Sequence, residues 1–282
     1  MESSADQRLE LLEWWERGAA GWSRRADAVQ EFGMRVSVWM VEHLDLQPGQ
    51  RVLELAAGPG DTGFLAAELV RPGGTLICSD AARAMLGVAT GRARDLGVTN
   101  VEFKQLELEW IDMPTASVDA ILCRWGLMFA LDPAAALQEC RRVIRPGGRI
   151  ALAVWDVPER NPWGGVPMRA LVELGRVPPP DPDAPGMFAL DDADRLLDLL
   201  EEAGFVDPVV EPVALTRTAP NLDAFIQESL DLSARFAEVR RSLSPEEWDE
   251  VRERIEAATR PYADATGALR FPAQTLAAAA SA

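Results

Sequence analysis

An apolar run, Val52-Leu53-Glu54-Leu55, passes through Ala56-Ala57-Gly58-Pro59-Gly60 into Asp61-Thr62-Gly63 and a helical pattern beyond. A strand that becomes a helix on residues this small leaves its turn free of bulk. The backbone there can approach a ligand closely, and the first helical N–H groups face it. Turns of this kind belong to the carboxyl edge of a parallel sheet, which needs crossover helices to join its strands.

The chain supplies those helices. Hydrophobic period predicts strands at 51–55, 75–79, 100–105, 118–122 and 149–155, with helices at 60–70, 82–96 and 133–144 between them. That rhythm implies a doubly wound, mostly parallel α/β sheet of the Rossmann-like kind, covered by helices on both faces. Upstream, 6–15 and 27–44 read as two helices, the second stopped by Gln47-Pro48-Gly49. Downstream, 158–185 is rich in Pro and Gly and includes Pro178-Pro179-Pro180, which fits a loop or lid. A helix at 191–203, a strand at 206–216, and charged helices at 222–239 and 245–259 follow. A last strand is expected near 271–279, although its alanine-rich sequence also fits a frayed end. The expected units are a helical cover over 1–47, a ligand-binding core over 48–156, a lid insertion over 157–190, a core helix and strand over 191–217, a helical lid over 218–265, and a last strand and tail over 266–282.

A chain of 282 residues, 48% hydrophobic, can bury one large core and still carry an added lid. The formal net charge of −17 argues against a nucleic-acid partner, which would require a basic stripe. No apolar window approaches the ~18 to 20 residues of a membrane span, and no export signal opens the sequence. Cys78, Cys123 and Cys140 are odd in number and set among apolar residues, so they suggest neither a disulfide framework nor a metal knuckle. A reducing cytoplasm is the expected compartment and no metal is expected.

Gly58, Gly60 and Gly63 also satisfy GxGxxG, with Asp80 placed to hold a ribose, so an NAD(P)-dependent oxidoreductase has to be weighed. Against it, Glu54 lies four residues before Gly58 where a dinucleotide site has an apolar residue, and Ala56 and Ala57 separate strand from glycine.

Further along, Ser79-Asp80-Ala81 with Met85-Leu86, Val101-Glu102-Phe103 with Glu107-Leu108-Glu109, Val118 to Trp125, and Arg141-Arg142-Val143-Ile144-Arg145-Pro146-Gly147-Gly148-Arg149 follow in order. With Val52 to Gly60, these resemble the motifs of class I S-adenosylmethionine-dependent methyltransferases, Ala56 replacing the first motif glycine. The resemblance covers about residues 30–156 and points to the branch of ubiquinone, menaquinone and natural-product methyltransferases.

It implies a seven-stranded sheet and S-adenosylmethionine as cofactor, with S-adenosylhomocysteine as product. It also implies roles. Ala56, Gly58 and Gly60 would face the methionyl part, Asp80 the ribose hydroxyls, and Ala81 and Met85 the adenine. Glu107 would receive the adenine amino group beside the Leu108 backbone. The Cys123 carbonyl would meet the cofactor's amino group, with Glu54 supporting that group or ordering the loop. A cofactor-binding protein without catalysis stays open beside the enzyme.

Methyl transfer is an in-line displacement that depends mainly on positioning and exclusion of water. Arg124 and Trp125 are the candidates nearest the chemistry, Arg124 fitting a loop-holding ion pair as well as a substrate contact. Trp22, Trp125, Met128, Phe129, Trp155, Trp163, Met187 and Phe188 are candidates for an apolar acceptor pocket, suited to a small aromatic or lipophilic molecule. His43, the sole histidine, precedes the first strand and is expected at the far edge of the sheet, with no chemical part. Carbon, oxygen and nitrogen all remain open as the methylated atom, as does oligomeric state.

Overall fold

The computed structural model describes residues 4–181 and 184–282. Of the expected cover and insertion, 1–3 and 182–183 lie outside the described residues. In chain order the elements are α1 Ser4–Leu44, β1 Arg51–Glu54, α2 Asp61–Leu69, β2 Thr75–Asp80, α3 Arg83–Leu96, β3 Val101–Gln105, β4 Val118–Arg124, α4 Pro133–Val143 and β5 Ile144–Trp155. They continue as α5 Val166–Glu173, α6 Ala193–Glu202, β6 Val206–Ala219, α7 Leu222–Leu232, α8 Ala234–Ser242, α9 Pro245–Thr259 and β7 Leu269–Ser281.

The seven strands form one sheet in the order β3-β2-β1-β4-β5-β7-β6. Neighbours from β3 through β5 pair in parallel. β7 is antiparallel to both β5 and β6, so β6 runs the same way as the parallel strands. The carboxyl ends of β1, β2, β4, β5 and β6 therefore share one edge. Val52, Leu53 and Glu54 of β1 are buried, as expected of a strand covered on both faces.

Helix starts follow local chemistry. Asp132 accepts from the Ala135 N–H ahead of α4, Asp192 caps α6, and Ser244 with Glu247 forms a capping box on α9. No helix among the described residues is long and apolar enough to cross a membrane.

Three expectations are corrected, and one left with two readings is resolved. The two N-terminal helices are one, α1, because Gly18-Ala19-Ala20-Gly21 marks a close packing site and not a break: a Cβ on Gly21 would stand 1.8 Å from the Asp231 carbonyl oxygen. The helix expected at 222–239 is two, since Ser233 leaves helical geometry and caps α8 by accepting from the Phe236 N–H. β5 starts at Ile144, opposite Val118, rather than at 149. The last strand expected near 271–279 is β7, longer by two residues at each end, and the alanine-rich tail is not frayed. Ala277 to Ala280 are buried inside β7 between two partner strands, where small side chains let helices approach both faces.

Part of the expected insertion is ordered as α5. Its Val166 and Leu171 share a second, smaller core with Phe225 of α7, Phe236 of α8, Val251 and Ile255 of α9, and Phe271 of β7. The segments before and after β6 thus pack on one another beside the main sheet.

Candidate functional site

The β1–α2 turn carries three left-handed residues, Ala56 at φ 48°, Gly58 at 52° and Gly60 at 91°. Asp80, the last residue of β2, ties this turn to the start of α3: its Oδ2 accepts from the Gly58 N–H and its Oδ1 from the Ala82 N–H, each at 2.9 Å. Beneath it the Ser79 hydroxyl donates to the Glu54 carbonyl at 2.6 Å. Glu54 Oε1 accepts from the Gly63 N–H at 2.7 Å. Its other oxygen, Oε2, is buried with no partner. A Cβ on Gly63 would lie 2.1 Å from that oxygen, so the carboxyl fits only because residue 63 is glycine.

Burial controls both acids. It pushes Glu54 up to about 8 against the pull of the Gly63 N–H and Arg124. It pushes Asp80 up to about 6 against the Ala82 and Gly58 N–H groups.

A cavity opens over this turn. Glu54, Ala56, Gly58, Asp80, Ala81, Met85, Glu107 and Leu108 all line it, as do Trp22, Arg124, Trp125 and Phe129. Gly60 and Cys123 stand behind its wall. Gly60 faces the Phe64 ring, where a Cβ would come within 2.5 Å of Cζ. Cys123 is buried in β4, its thiol pushed up to about 12 by desolvation.

Sequence reasoning expected a helical cover over 1–47 and named Trp22, but it did not single out Arg8, Leu11 and Leu12 of the wall that α1 provides. Arg8, Leu11, Leu12 and Trp15 line the cavity, and Arg8 donates to both Glu107 and Glu109 at 3.0 Å. One turn on, Glu16 accepts from the Arg83 and Ala84 N–H groups at 2.7 and 3.0 Å, capping α3 from another helix. The apolar spacing Leu11, Leu12, Trp15, Ala19, Trp22 was the available signal.

Arg124 and Trp125 end β4. Arg124 donates to Asp61 Oδ2 at 2.8 Å, and Arg92 pairs with the same carboxylate. Trp125 has φ 60°, which turns its indole along the sheet edge, and its Nε1–H donates to Thr275 at 2.9 Å. Its ring stacks on Trp155 at 4.3 Å, and Trp155 meets Trp163 edge-on at 5.1 Å. Phe32 of α1, also missed, reaches Trp125, Trp155 and Trp163 at 5.9, 6.0 and 5.9 Å.

The other acceptor-pocket candidates are spread around this cluster. Phe129 packs edge-on to Trp15 at 5.0 Å, and Met128 is buried with its carbonyl accepting from the Gly186 N–H at 3.1 Å. Met187 and Phe188 are half-buried over Gly164. His43 lies outside the cavity lining, its ring stacked on Trp39 at 3.7 Å.

A methyltransferase-domain model matches residues 46–173. The ubiquinone/menaquinone biosynthesis C-methyltransferase UbiE of Coxiella burnetii (strain Dugway 5J108-111) is 31% identical over 172 residues, spanning 57% of this chain and 69% of that protein. The protein of that name from Cellvibrio japonicus (strain Ueda107) is 29% identical over 177 residues, 59% of this chain and 71% of its own. The YcgJ protein of Bacillus subtilis shares the fold, with a TM-score of 0.58 at 18% identity over 88% of this chain and 98% of that one. Ordered motifs, strand order and relatives agree, and the chain belongs to the class I S-adenosylmethionine-dependent methyltransferases.

Proposed function

We propose that this methyltransferase holds S-adenosylmethionine in the cavity over the β1–α2 turn and methylates a small, flat aromatic or lipophilic acceptor resting against the tryptophans that follow. The observation that carries this reading is Trp125, which lines the cavity and stacks at 4.3 Å on Trp155. Cofactor cavity and aromatic cluster thereby share a wall.

The residues fit the cofactor. Glu54 Oε2, buried and unpartnered on the cavity wall, is an acceptor waiting for a donor such as an ammonium group. Each Asp80 oxygen already takes one backbone N–H and has a lone pair left for a ribose hydroxyl. Ala56 and Gly58 keep the turn clear for the methionyl chain, with Gly60 setting its bend and the Cys123 carbonyl assigned to the amino group. Ala81 and Met85 offer apolar contact to adenine, and Glu107 and the Leu108 backbone its polar edge. When bound, S-adenosylmethionine supplies an electrophilic methyl group on a sulfonium.

The protein's own part is positioning. Arg124 carries donors only, so it orients or steadies negative charge and does not take a proton. The amino-terminal half of α1 serves as the cover, and 157–190 with 218–265 as the lid that excludes water. A place in quinone-type or natural-product metabolism follows from this reading.

Calorimetric titration tests it. S-adenosylhomocysteine is expected to bind in the micromolar range and NAD not to bind; the reverse result overturns the assignment of the cavity.

A further inference from the structure

We infer that the acceptor is a planar acid whose carboxylate is received by Arg217 and Trp163 at the carboxyl edge of β5 and β6; this rests on the cofactor and acceptor reading above. Arg217 lies near the carboxyl end of β6. β6 runs with the parallel strands and extends beyond β5: Val213 is level with Trp155 across Thr275, and Arg217 lies four residues further on, its side chain reaching Trp163.

The Arg217 side chain is only 9% exposed, yet among the described residues it has a single ion-pair partner, Glu228 at 3.0 Å. Its guanidinium lies over the rings of Trp163 at 4.6 Å and Phe32 at 5.3 Å. Such stacking holds the plane of the group and leaves its N–H edge free.

Apart from the Glu54 oxygen assigned to the cofactor, the unmet buried atoms bordering this cluster are donors. Arg217 Nε, Trp163 Nε1 and Arg124 NH1 are all buried without a partner, and all three are donors. A buried donor left unpaired is unfavourable, and three bordering one aromatic cluster call for a ligand with acceptor oxygens. Arg124 lies over the Trp125 ring at 4.6 Å, so the set begins where the cofactor cavity ends.

The ion pairs near the cluster are already made inside the protein. Asp61 serves both Arg92 and Arg124, Asp231 serves both Arg24 and Arg25, and Glu228 serves Arg217. Arg92 also reaches Asp27 at the surface, and Glu54 faces Arg124 with its proton favoured by burial. Within a chain of net charge −17, the buried guanidinium groups of Arg124 and Arg217 pair with Asp61 and Glu228, and Asp156 follows Trp155 with its carboxylate held by Gln274 and the Val157 N–H. An amine, or a neutral ring without acceptor oxygens, would leave the unpaired donors unmet. A ring bearing a carboxylate meets both the indole faces and the N–H groups.

The test uses the full chain saturated with S-adenosylhomocysteine and three probes of one shape, 1-naphthoate, 1-naphthamide and 1-naphthylmethylammonium, read by quenching of tryptophan fluorescence. Naphthoate is expected to bind at least ~10-fold tighter than naphthamide, the least that one charge-assisted hydrogen bond is worth, and the ammonium not at all. Trp163→Phe keeps the ring and removes one N–H, and should narrow that preference about threefold or more. Arg217→Met with Glu228→Gln removes the buried pair together and should abolish it, with S-adenosylhomocysteine affinity unchanged in both variants. Naphthamide binding as tightly as naphthoate, a preference surviving in both variants, or no naphthoate binding by protein that holds S-adenosylhomocysteine overturns the inference. Failure of S-adenosylhomocysteine itself to bind would instead remove the cofactor reading beneath it.

Discussion

Glu54 is where sequence, burial and chemistry meet most tightly. Its carboxyl takes the Gly63 N–H on Oε1 and is reached by the Cys78 thiol, Oε2 has no partner among the described residues, and burial raises the group to about 8. A raised acid favours the protonated folded state. Between pH 4.5 and about 8 the folded chain therefore keeps a proton that the unfolded chain gives up. Stability falls as pH rises through that window, by at most ~1.4 kcal/mol per pH unit. Glu54→Gln holds the same hydrogen bond without titrating. Its melting temperature relative to wild type is thus expected to rise from pH 5 to pH 8.5; a constant difference would mean that Glu54 is ionised in the free protein. Binding supplies a second readout. An ammonium at Oε2 favours the carboxylate, so S-adenosylhomocysteine binding at pH 7 should release a proton. Calorimetry in two buffers of different ionisation enthalpy measures it, and Glu54→Gln should abolish it.

Among elements, α1 shows how glycine misleads a sequence reading. Gly87 of α3 has nothing within 4 Å of an added Cβ, so Gly87→Ala should stabilise the fold by about 1 kcal/mol. Gly21 sits in a helix too, yet its added Cβ would strike Asp231, whose carboxylate holds Arg24 and Arg25. Gly21→Ala should therefore lose roughly 1 to 3 kcal/mol by forcing α1 from α7, despite its better propensity. Urea unfolding of the two variants is expected to give shifts of opposite sign. From sequence, Gly18 to Gly21 looks like a gap between helices, because a small-residue contact and a break leave the same signature. β7 was expected near 271–279, yet a frayed end also fitted its tail, because four buried alanines carry neither the alternation nor the branched side chains that announce a strand. The β1 to β5 half was legible because β1, β2 and β4 are short apolar runs with helical patterns between them, whereas β5 was legible only from 149 on, past the turn residues Pro146-Gly147-Gly148.

At the scale of the molecule, the turn, Asp80 and the acids around them were legible since they lie within one run of the chain. Phe32 and Arg217 were not. They come from α1 and β6, and only the folded sheet edge brings them to Trp163. The same topology governs how the protein is made. β7 lies between β5 and β6, pairing with residues some 50 to 130 positions earlier in the chain. During synthesis β6 leaves the ribosome with no neighbour, and the flank of β5 stays open until β7 follows. Pairings so distant in sequence form slowly and leave apolar surface exposed in the interval. A ribosome-arrested chain with residues 1–268 outside the exit tunnel should be cut by protease at β6 and α6, whereas one with β7 outside should resist. The finishing strand works as a closing seam, and the time between translating β6 and β7 is the period in which this polypeptide most needs a chaperone.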